Sequence, residues 1–141
     1  MVIAIDFDGT CVSHEFPLVG NEIGADVVLK ELVEKGHQLV LFTMRSNRKK
    51  AKNTGDATIQ NITGKFLDDA VNWFAKNEIP LYGIQSNPTQ KNWTTSPKCY
   101  AQLYIDDAAL GCPLMFDETI SNKPFVDWGM VRILLIGNGI L

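Results

Sequence analysis

Residues 3–11 read IAIDFDGTC: a short run of branched and aromatic residues, two aspartates two apart, then a glycine. Such a run favours a strand. A strand carried straight through both acids would set Asp6 and Asp8 on one face, about 7 Å apart. Gly9 argues against that continuation. Glycine takes backbone angles closed to other residues, so the chain is expected to turn just after Asp8 and bring its backbone close to whatever the carboxylates hold. Two like charges held this close raise a pKa or demand a cation. The plainer reading is a strand-to-turn junction in which Asp8 caps the turn.

Outward from this run, three more short apolar segments have strand character: QLVLFT at 38–43, LYGIQS at 81–86 and QLYID at 102–106. Between the first two strands, IGADVVLKELVEKGH places Val27, Val28, Leu32 and Val33 at helical spacing, with Gly36 as a stop. Between the second and third, KFLDDAVNWFAKN repeats the pattern through Phe66, Leu67, Ala70, Val71 and Phe74, ahead of Pro80. Strand alternating with helix is the pattern of right-handed parallel crossovers. The expected fold is therefore a three-layer α/β/α sandwich around a Rossmann-like, mostly parallel sheet.

The chain has 141 residues, 45% hydrophobic and 21% charged, which suits one domain spanning 1–141. A formal charge of -3 argues weakly against nucleic acid as an obligate structural partner, but leaves room for an anionic substrate at a local basic patch. Three cysteines without a CxxC spacing suggest neither a disulfide framework nor a thiolate zinc site, and favour a reducing compartment. The amino terminus has no basic stretch, and its apolar run is too short for a signal or membrane segment. The chain reads as cytoplasmic, with its apolar tail MVRILLIGNGIL docked on the core as a last helix or strand.

Ligand crevices of open parallel sheets lie beyond the carboxyl ends of the strands. The first strand ends in Asp6 and Asp8, the second in Thr43, the fourth in Asp106 and Asp107. Four carboxylates converging on one sheet edge call for a hard divalent cation, and an oxygen-only donor set favours Mg2+ over zinc. Taken alone, Thr43 is an ordinary strand former or cap, and Asp106 with Asp107 an ordinary turn pair. Cys11, next to the acids, has no base to activate it and reads as packing.

Together, DFDGT at 6–10, the threonine in LVLFTMRS, a lysine further on and IDD at 105–107 resemble the four motifs of the haloacid dehalogenase (HAD) superfamily, across the whole chain. The resemblance implies a phosphomonoester hydrolase acting through an aspartyl-phosphate. Asp6 would be the nucleophile and Asp8 the general acid and base. Mg2+ would be held by Asp6, the Asp8 carbonyl and Asp106, with Asp107 ligating or orienting a bound water. Thr43 and the amides near Phe7 and Met44 would bind phosphoryl oxygens. Members that cleave carbon–halogen bonds lack the second aspartate, so Asp8 favours phosphate chemistry.

The lysine fits least cleanly. Lys98 matches the short lysine-to-DD spacing of small members in SPKCYAQLYIDD, whereas a straight fourth strand leaves it at the amino end of the sheet. Lys91, after the third strand, is the alternative. The chain has no room for a large cap, and an open site suits macromolecular phosphates, or small ones where a loop or a neighbouring subunit of a homo-oligomer supplies the lid. Arg45, two residues past Thr43, is placed to touch a second phosphate or a carboxylate of the substrate. With Arg48, Lys49, Lys50 and Lys52 it forms either a solvated turn or a patch that steers a nucleotide or nucleic-acid end. Trp93 either stacks on a base or covers the core. The competing expectation is a phospho-acceptor signalling or binding module on a related α/β fold.

Overall fold

The computed structural model describes residues 1–50, 55 and 61–141. Their elements run β1 (Val2–Ile5), α1 (Ala25–Glu34), β2 (Gln38–Leu41), β3 (Asn47–Arg48), β4 (Gly64–Lys65), α2 (Phe66–Lys76), β5 (Gly83–Ile84), β6 (Leu103–Ile105), β7 (Leu114–Met115), β8 (Phe125–Val126) and α3 (Trp128–Gly137). The central sheet has the order β5-β2-β1-β6, and every pairing in it is parallel. The four expected strands and both expected helices are present, and the α/β sandwich is Rossmann-like. The strands are shorter than their apolar runs, although the ladder continues a residue past β1: the Asp6 amide donates to the Ile105 carbonyl at 3.0 Å.

Alternation along β1 divides the core. Ile3, Ile5 and Phe7 face one side, where α1, α2 and α3 all deliver buried residues such as Leu29, Phe74 and Leu135. Val2 and Ala4 face the other, with Val40, Tyr82, Cys99 and Tyr104. Handedness explains this split. The crossovers β1-α1-β2 and β2-α2-β5 step in one direction, so both helices lie on one face. The return from β5 to β6 steps back across two strands, and a right-handed return must run over the opposite face. That return, residues 85–102, forms a thin third layer with one 3-10 turn at Gln90–Asn92.

Gln90 holds this layer together. It is buried, its side-chain oxygen accepts from the amides of Asn87 and Tyr100, and its amide donates to the carbonyls of Ser96 and Lys98. A backbone without ladder partners needs such a hub to satisfy its polar groups.

The polar stretch after Thr43 is bounded by an antiparallel pairing of β3 with β4. Asn47 there caps α2 from outside, its side-chain oxygen accepting from the amides of Leu67 and Asp68. Lys52 lies outside the described residues. The apolar tail forms α3, whose first turn is capped by Asp127 accepting from the Met130 amide. No helix among the described residues is long and apolar enough to cross a membrane.

Candidate active site

β1 and β6 are neighbours, so the residues that follow them meet. Ligand oxygens of Asp6, Asp106 and Asp107 lie within 4.8 Å of one another. Burial, with the charges of Asp106 and Asp107, pushes Asp6 up from 3.8 to about 7, against hydrogen bonds from the Phe7 amide and the Thr10 hydroxyl. Without an added positive charge the carboxylate is half protonated near neutrality.

Thr10 is fully buried and ties the two strand ends together. Its oxygen accepts from the Asp107 amide at 3.0 Å, and its hydroxyl lies 3.2 Å from Asp6 Oδ2 and 3.3 Å from Asp107 Oδ1. One hydroxyl has a single proton, so it donates to one of the two carboxylates at a time. His14 closes the other side of Asp107, with Nε2 2.8 Å from Oδ2. The expected turn is real, with Gly9 at φ +82°, and the group that comes close is the His14 ring: a Cβ on Gly9 would sit 2.1 Å from Nε2.

Asp8 does not share the cluster. Its side chain is gripped by Arg45, Nε and Nη2 donating to the two carboxylate oxygens at 2.7 Å each. Arg45 is 3% exposed. Its guanidinium lies 5.0 Å from the Phe7 ring centre and 5.2 Å from that of Phe16, and Nη2 also donates to the Leu18 carbonyl. In this state Arg45 faces Asp8 and not an open crevice, which differs from the direct substrate contact expected of it. The cause is burial: a guanidinium this enclosed needs its countercharge inside the fold.

Thr43 stands past the end of β2, its oxygen accepting from the Arg45 amide, which leaves its own proton free to donate. Gln85 fixes this turn by accepting from the Thr43 amide and donating to the carbonyls of Thr43 and Arg45. Met44 is 94% exposed, and its amide meets no protein acceptor among the described residues. Cys11 is buried packing, as expected: desolvation and the charges of Asp6, Asp8 and Glu22 push its thiol well above the usual range.

The lysines are elsewhere. Lys98 lies with its amine 5.9 Å from the Tyr104 ring centre, on the second face of the sheet before β6 begins. Lys91 is exposed in the 3-10 turn of the same layer. Among the described residues, neither amine lies within 4 Å of a carboxylate. Trp93 is largely exposed and packs edge-on against Tyr100 in that layer.

Sequence reading missed Thr10 as a bridge, His14, Gln85 and the Asp8–Arg45 pair. Gln85 had a usable signal, because it ends the third strand as Thr43 ends the second. His14 had none, since only the Gly9 turn carries it back over the site.

No protein-family model matches the chain, and no curated protein matches it. It is similar to the solved structure of a conserved protein from Bacteroides thetaiotaomicron, at 28% identity and a TM-score of 0.70, over 98% of this chain and 91% of that one.

Proposed function

We infer that the chain is a Mg2+-dependent phosphomonoesterase, an HAD-like hydrolase that works through an aspartyl-phosphate. The observation that carries this reading is the meeting of Asp6, Asp106 and Asp107 beyond adjacent parallel strands. The donor set fits a hard cation, being all carboxylate oxygen within 4.8 Å, with Asp106 and Asp107 adding to the burial that raises Asp6. Asp6, the Asp8 carbonyl, Asp106 and Asp107 would hold Mg2+, as the resemblance implies. When bound, it screens the phosphoryl charge so that two anions can approach.

The residues' own chemistry then runs in two steps. An Asp6 oxygen attacks phosphorus in line, forming an Asp6 O–P bond as the ester P–O bond breaks, and Asp8, after leaving Arg45 and taking up a proton from solvent, passes that proton to the leaving oxygen. Asp8 next takes a proton from water, which attacks phosphorus, breaks the Asp6 O–P bond and releases phosphate. The Thr43 hydroxyl and the exposed Met44 amide supply donors to the phosphoryl oxygens. Arg45 must give up one Asp8 oxygen for the proton to move. Exposed Lys49 and Lys50, on the chain leading from Thr43, favour a polyanion such as a nucleotide or nucleic-acid end. The unpaired cysteines, Cys11 and Cys99 among them buried, support a cytoplasmic setting.

The Asp8–Arg45 pair also favours a second reading. If Arg45 stays locked, Asp6 accepts phosphate and keeps it, as a signalling module would. Phosphate release from an aryl phosphate and then from nucleotides and phosphorylated nucleic-acid ends, with Mg2+ and with chelator, separates the two. Metal-dependent turnover abolished by Asp6→Asn is expected. A stable phosphoenzyme without turnover favours the acceptor, and no reaction with Mg2+ bound contradicts both.

A further inference from the structure

β6 is an edge strand, and its open side carries a cavity of about 380 Å³ walled by β6, the turn at 109–113 and α3. No charged side chain lines it. Leu110 stands at the rim and is 107% exposed, a fully projecting apolar side chain beside an apolar hole. α3 is apolar nearly all round: Trp128, Val131 and Leu135 face the core, while Met130, Ile133, Leu134 and Ile136 are exposed. A helix with apolar residues on every side is one that is covered on every side.

We propose that this face is an isologous interface, in which a second copy of the chain packs across β6 and α3 and each Leu110 enters the other's cavity. A two-fold contact needs a self-complementary surface, and a projecting Leu110 beside an apolar cavity on one face supplies it. Taking roughly 200 Å² for a fully exposed large apolar residue, Leu110 and Leu134 on the cavity, with Met130 one helical turn before Leu134, offer roughly 400 Å² at their exposures, about half of what each partner gives a standard interface, before the edge of β6 and the turn at 109–113 are counted. Charge selects the face as well: copies that each carry -3 repel, so their contact belongs where the surface is uncharged. The cleft on the other flank of α3, lined by Glu31, Glu34, Lys35 and Arg132, does not meet that condition.

Sedimentation equilibrium of the full chain tests this directly, independently of any activity. The wild type is expected at twice the monomer mass. Leu110→Asp, in an exposed turn, and Leu134→Lys, on the outer side of α3, should each shift the mass to the monomer with the helical circular dichroism retained. A wild type that stays monomeric at tens of micromolar overturns the proposal, whether the face then holds an apolar small molecule or another protein. A dimer that survives both substitutions overturns it too.

Discussion

Asp6 concentrates the electrostatics of the site in one carboxyl. With its pKa raised from 3.8 to about 7, the folded chain keeps a proton that the unfolded chain has lost over that interval. Stability therefore falls as pH rises from about 4 to about 7, and the full cost is present above that range. Thermal unfolding of the metal-free protein should show this decline, and Asp6→Asn should flatten it. On the proposed function, Mg2+ held by Asp6 displaces the same proton, so added Mg2+ should raise the midpoint more at about pH 8 than at about pH 5. Equal shifts at both values would mean that the ion binds elsewhere. The aspartates were legible in the sequence because each follows a strand of recognisable composition. Their partners were not: Thr10 reaches Asp107 across 97 residues and Arg45 reaches Asp8 across 37, distances that only the fold closes.

The least regular element, the return over residues 85–102, is held by side chains and not by a ladder. Replacing Gln90 with Ala leaves the Asn87 and Tyr100 amides and the Ser96 and Lys98 carbonyls without their partner. Orphaning buried polar groups costs about 1–3 kcal/mol each, less where water enters, so a loss of a few kcal/mol is expected in denaturant unfolding. Amide exchange should rise across this layer before it rises in β1. Protection that stays unchanged there would show that the apolar contacts of Cys99 and Tyr104 suffice. Helices α1 and α2 were legible because their apolar spacing repeats over three turns. The pairs β3–β4 and β7–β8 were not, since two residues carry no period, and the 3-10 turn depends on Gln90, whose role no local pattern announces.

At the scale of the molecule, strand order decides what the chain can do. Placing β6 beside β1 brings a carboxyl-end pair of acids next to the first strand's own, and the same order leaves β6 at an edge beside an apolar helix. The candidate site and the proposed interface are thus separate consequences of one topology. The parallel order followed from alternating strands and helices, whereas the position of Lys98 depended on the path of the return, which composition left open. The central claim is that Asp6 carries the phosphoryl group. Its most direct measurement is mass spectrometry of the acid-quenched protein after brief exposure to an aryl phosphate and Mg2+, with proteolysis to localise any modification. The account predicts a hydroxylamine-labile phosphate on the peptide containing Asp6, absent with chelator and absent in Asp6→Asn. Turnover with no such adduct under any quench time, or a phosphate on another residue, would contradict it.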